Sequence, residues 1–173
     1  MDWGASGFVP HTLIPGEAYK HAMVPAGKVK ELGGYAAARE WAENEMKNFI
    51  QGKVNEAKEN VRKFDISVAV NGVGDENYLV SALQAFGEAI HPIMDNVSPA
   101  HRDFQVYDTS GWSLSLNGLI SAGLDLYQHG KEEERDPTPE ELTRMTNEIR
   151  PLYFEIFGSK RLKEAVPEQK RPQ

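Results

Sequence analysis

The 173 residues fit one domain at the usual ~100–200 residues each, and the 40% apolar and 26% charged content is that of a folded globular chain. With 26 acidic against 19 basic residues the formal net charge is -7, which argues against holding nucleic acid on a broad basic surface but not against an enzyme that visits a phosphodiester through a small metal site. No cysteine is present, which excludes a disulfide scaffold, a zinc ribbon and a thiol nucleophile, so any transition-metal site must use His, Asp and Glu.

Residues 1–34 read as an irregular N-terminal arm. Gly4, Gly7, Pro10, Pro15, Gly16, Pro25, Gly27, Gly33 and Gly34 break every period. Trp3, Phe8, Leu13 and Met23 are nevertheless too apolar for a solvated tail, so the arm is expected to pack on the domain. Residues 35–158 are expected to form the helical domain that carries the candidate catalytic residues, and 159–173 a basic, flexible tail. A first helix is predicted from Tyr35 to about Phe64, with Ala38, Trp41, Ala42, Phe49, Ile50, Val54, Ala57 and Val61 on one stripe and a weak point at Gly52. Ile66-Ser67-Val68-Ala69-Val70 is too short to classify, as a strand or as the end of that helix. Asp75 is placed to cap a second helix over about Glu76 to Asn96, whose core stripe is Leu79, Leu83, Phe86, Ile90 and Ile93. A third helix is expected between about Ser113 and Gln128, with Gly130 as its stop. Thr138-Pro139-Glu140-Glu141 is a capping box with proline at the first helical position; Pro151 should kink the helix it opens and Gly158 should end it. The expected fold is all-α, a single-domain bundle of about four or five helices.

Chemistry concentrates in the second helix and the turn after it. Gln84, Glu88, His91 and Asp95 make a polar stripe opposite the core stripe, and His91 and Asp95, at i and i+4, share a helix face. Such a pair can converge on one divalent cation at about 2.0–2.2 Å per bond. His101 follows the Ser98-Pro99 break, where the chain can swing back toward the same pocket. An exposed His–Asp pair is the plainer alternative, and the third histidine beyond a turn weighs against it.

The order His91-x3-Asp95-x5-His101, with Pro99 ahead of the last histidine, resembles the signature of zinc-dependent phospholipases C and the related fungal single-strand nucleases. The resemblance implies an all-helical protein that hydrolyses phosphate esters of lipids or nucleic acids with a cluster of zinc ions, here two or three. It implies that His91 and Asp95 hold the paired metals and His101 the third. The family's later His-x3-Glu falls on His129 and Glu133, with Glu132 and Glu134 as alternatives. Its upstream ligands have no clear equivalents; His11 and His21 are the histidines left to supply them, and Asp75 and Asp65 the nearest carboxylates. Asp75 or Glu88 is the candidate to take a proton from the attacking water.

The same phrase, continued by Phe104-Gln105, resembles the C-terminal toxic domains of bacterial Rhs-type polymorphic effectors. That implies delivery into a target cell as part of a larger secreted carrier and a cognate immunity protein that blocks the site. It agrees with the lack of a signal-peptide pattern at residue 1; a cytoplasmic chain is the other expectation. Phospholipid is the leading substrate and no stable nucleic-acid complex is expected. A nuclease of the same superfamily, a phosphohydrolase acting on a small nucleotide, and a non-enzymatic helical module with a structural metal site are the alternatives. No P-loop, Gly-x-Ser-x-Gly elbow or dinucleotide fingerprint is present to support other chemistries.

Overall fold

The computed structural model describes residues 15–98, 101–107 and 136–165, with 15, 16 and 159–165 described by their backbone. These residues are all-α apart from one two-residue strand pair. A 3-10 helix, Pro15–His21, leads into strand β1, Val24–Pro25, and helix α1, Ala26–Glu31. Two long helices follow, α2 over Tyr35–Asn71 and α3 over Glu76–Asp95. Strand β2, Val106–Tyr107, precedes α4, Pro139–Ala165. No described helix is long and apolar enough to cross a membrane. The expected helix over 113–128 and its stop at Gly130 lie outside the described residues, as do residues 1–14 of the arm.

The stretch 15–34 is built of short elements rather than irregular chain. Its glycines and prolines keep each element short without preventing any of them. The run Ile66–Val70 continues α2 as helix. Ser67 explains the continuation: its hydroxyl donates to the Phe64 carbonyl at 2.7 Å and accepts the Asp75 amide at 2.8 Å, tying the end of α2 to the start of α3. Gly72 ends α2 in the left-handed conformation, φ +73°, with its amide on the Val68 carbonyl. Gly74 is required for a different reason, since a Cβ there would stand 2.2 Å from the Phe64 ring.

Both helix-start signals hold. Asp75 Oδ1 accepts the Asn77 amide at 3.0 Å. Thr138 and Glu141 cap reciprocally: Glu141 Oε2 accepts the Thr138 amide at 2.8 Å, and Thr138 Oγ1 accepts the Glu141 amide at 3.3 Å. In α4 the backbone leaves helical angles at Gly158, φ 72°, and then resumes to Ala165.

The contacts divide into two compact units, one of residues up to Phe49 with His91–Met145, the other of Ile50–Ile90 with residues from Thr146 onward. The second is an apolar helix core: Val54, Ala57 and Val61 of α2, Ala82, Ala85 and Ala89 of α3, and Ile156 and Phe157 of α4. Phe86 stands edge-on to Phe157 and Tyr153, each at 5.7 Å. The buried positions of α3 in this core are alanines, and Leu83 of the expected stripe is half-exposed. The uncharged stretch around the α2–α3 turn carries the most exposed apolar side chains, Val70 and Val73 at 75% each. In the first unit, α2 receives the 3-10 helix through Tyr19, whose ring lies edge-on to Trp41 at 6.1 Å and to Phe49 at 6.4 Å.

Candidate metal centre

The first unit holds a group of metal-ligating atoms from two segments. His21 ends the 3-10 helix, whose last residues are fixed by the Ala22 amide on the Tyr19 carbonyl and the Met23 amide on the Ala18 carbonyl. His91 and Asp95 project from the last turn of α3, one helical turn apart, with the buried Pro92 between them. Their facing atoms form a small triangle. His21 Nδ1 lies 2.9 Å from Asp95 Oδ2, His91 Nε2 lies 3.2 Å from the same oxygen, and the two ring nitrogens are 3.2 Å apart.

That triangle has the dimensions of one face of a coordination polyhedron. A tetrahedral ion with bonds of about 2.0–2.1 Å sets its ligand atoms about 3.3 Å apart. An octahedral ion at about 2.1 Å sets neighbouring ligands about 3.0 Å apart. Two imidazoles and one carboxylate on one face leave the opposite positions for exogenous ligands, and the donor set suits zinc and other divalent ions of its kind. The group is buried on one side and open on the other, with side-chain exposures of 3% for His21, 15% for Asp95 and 35% for His91.

Electrostatics favour a charged carboxylate here. Burial raises the Asp95 pKa, but hydrogen bonds from His21 and His91 and the charges of His91 and His101 outweigh it and hold it at about 2, against 3.8 ordinarily. A carboxylate that stays ionised is what a cation needs.

Three of the expected ligands, His21, His91 and Asp95, therefore come together. His101 is fully buried beside them, its ring centroid 6.2 Å from that of His21 and the planes inclined by 30°, but it does not join the group of ligand atoms. His11, His129 and Glu133, with Glu132 and Glu134, lie outside the described residues. The two candidate proton acceptors are engaged in the second unit: Asp75 as the cap of α3, and Glu88 in an ion pair with Lys53 at 2.6 Å. Sequence reasoning passed over Arg102, whose guanidinium pairs with Glu141 and also donates to the Val97 carbonyl at 3.4 Å. It also passed over Tyr35, whose hydroxyl donates to the carbonyls of Asp103 at 2.8 Å and Phe104 at 3.1 Å. Glu141 was legible only as a cap; nothing local marks its second oxygen as the partner of Arg102.

An all-α chain with a two-histidine, one-carboxylate group is thus what fold and site define. No protein-family model, curated protein or solved structure matches the chain.

Proposed function

We propose that this chain is a metal-dependent hydrolase of phosphate esters. The observation that carries the reading is the His21–His91–Asp95 triangle, sized for one divalent ion and open on the His91 side. A divalent ion held there lowers the pKa of a coordinated water and polarises a phosphoryl oxygen. The chain's own part is to fix three donors on one face, to keep Asp95 charged, and to shield the His21 side from solvent. The His91-x3-Asp95-x5-His101 order supports phosphate esters as the substrate class through its resemblance to zinc phospholipases C and single-strand nucleases, and phospholipid is the preferred substrate because the net charge of -7 disfavours long nucleic-acid footprints. Delivery as a toxin domain, held in check by an immunity protein, is the setting that the Rhs-type resemblance supports.

The test pairs metal content with turnover. Purified protein supplied with zinc is assayed on phosphatidylcholine vesicles, single-stranded DNA and a small phosphodiester, with and without chelator. Chelator-sensitive release of phosphocholine is expected. Cleavage of DNA alone supports the nuclease alternative. The deep burial of His21 favours a second reading, a structural ion that pins the 3-10 helix to α3; a folded, metal-loaded chain that cleaves none of the three substrates decides for it.

A further inference from the structure

We propose that His101 is a positioning residue, which holds the His21 imidazole in place against the metal tripod and does not itself bind that ion. The proposal rests on reading His21, His91 and Asp95 as a metal site. His101 is fully buried, and its ring centroid stands 6.2 Å from that of His21 with 30° between the planes, an offset near-parallel arrangement. The His91 ring meets His21 nearly perpendicular, at 4.9 Å. The His21 imidazole, whose Nδ1 faces the other ligand atoms, therefore neighbours two other imidazoles, one of them outside the ligand triangle. Ring contacts of this geometry fix orientation without needing a nitrogen.

The turn that carries His101 is held from several directions, as a positioning element has to be. The His101 and Arg102 amides both donate to the Ser98 carbonyl, at 3.1 and 2.8 Å. The Arg102 guanidinium is paired with Glu141, whose other oxygen caps α4. Asp103 and Phe104 follow in the left-handed conformation, φ 63° and 57°, which is uncommon away from glycine and for a residue as bulky as Phe requires outside support. The Tyr35 hydroxyl supplies it through the two carbonyls there. Beyond the turn, the Val24 amide donates to the Gln105 carbonyl at 3.0 Å, and β2 pairs in parallel with β1, Val24 against Val106. The chain is thus fixed to the segment bearing His21 both at the His101 ring and just after the turn.

Cobalt(II) titration of the full chain, followed by its visible d–d bands, tests this. His101→Ala is expected to keep the band energies and one ion per chain while affinity falls about 10–100-fold, the usual cost of losing an outer partner of a metal site. His101→Phe, which restores a ring without nitrogens, is expected to recover most of that loss; no ligand can be replaced in this way. Tyr35→Phe leaves the ring in place and loosens only its turn, and should weaken cobalt binding severalfold with unchanged bands. Shifted bands in either His101 variant, or undiminished affinity in Tyr35→Phe, overturn the proposal. Absence of cobalt uptake by the unsubstituted chain overturns the metal reading as well.

Discussion

The two compact units differ in what they bury. The second is an apolar helix core in which alanines, Val54 and Phe157 are buried together and polar groups stay at the surface. The first buries His21, His101 and Glu141 beside apolar side chains such as Met23, Val24, Ile93 and Phe104, and short elements meet there through hydrogen bonds and rings. Area removed from water sustains both, and the first must in addition satisfy the polar groups it buries. Mutations that remove volume should therefore damage either unit, and mutations that remove a buried polar partner the first.

The largest effect is expected from Phe157→Ala, which empties the space against Phe86 and Tyr153 and should cost about 3–5 kcal/mol in chemical denaturation. Zinc stoichiometry in the protein that remains folded should not change; a lost ion would break the contrast between the units. Next comes Asp95→Ala, expected to lower zinc affinity, read by competition with a chromogenic chelator, by more than the ~10–100-fold typical of an outer partner. The same carboxyl makes the metal-free chain acid-sensitive. Its folded pKa of about 2 lies below the ordinary 3.8, so its contribution is complete above pH 3.8 and disappears as pH falls through about 2. Acid unfolding of Asp95→Asn should lack that component. Asp75→Ala removes the cap of α3 and should cost about 1 kcal/mol, seen as a lower urea midpoint at unchanged slope. Smallest of all, Lys58→Ala breaks an exposed ion pair with Glu155 and should change stability by less than about 1 kcal/mol.

What could be read from the sequence follows the same division. The α3 limits, the Asp75 cap and the Thr138–Glu141 box were legible because each depends on neighbours within a few residues. His91 and Asp95 were legible for the same reason, being one helical turn apart. His21 could be reached only by elimination, since its pairing with Asp95 spans 74 residues and no local pattern encodes it. The two-residue strands β1 and β2 left no periodic trace. Nor did the left-handed pair Asp103 and Phe104, where no glycine announces the turn. Leu83 departs from its expected stripe because hydrophobicity does not show which small residues line the core, and here Ala82, Ala85 and Ala89 do.

The parallel pairing of Val24 with Val106 and the meeting of His21 with Asp95 also bear on how the chain reaches its native state. Helical turns around Asp75 can form within microseconds from adjacent residues, whereas the histidine group must wait for a long excursion of chain to return. A nascent polypeptide leaving the ribosome would hold a formed α2–α3 turn well before β2 has emerged. His21, already synthesised, would have no strand to anchor it until then. The histidine group therefore depends on contacts that span most of the chain made up to Tyr107, whereas the α2–α3 turn depends on neighbours.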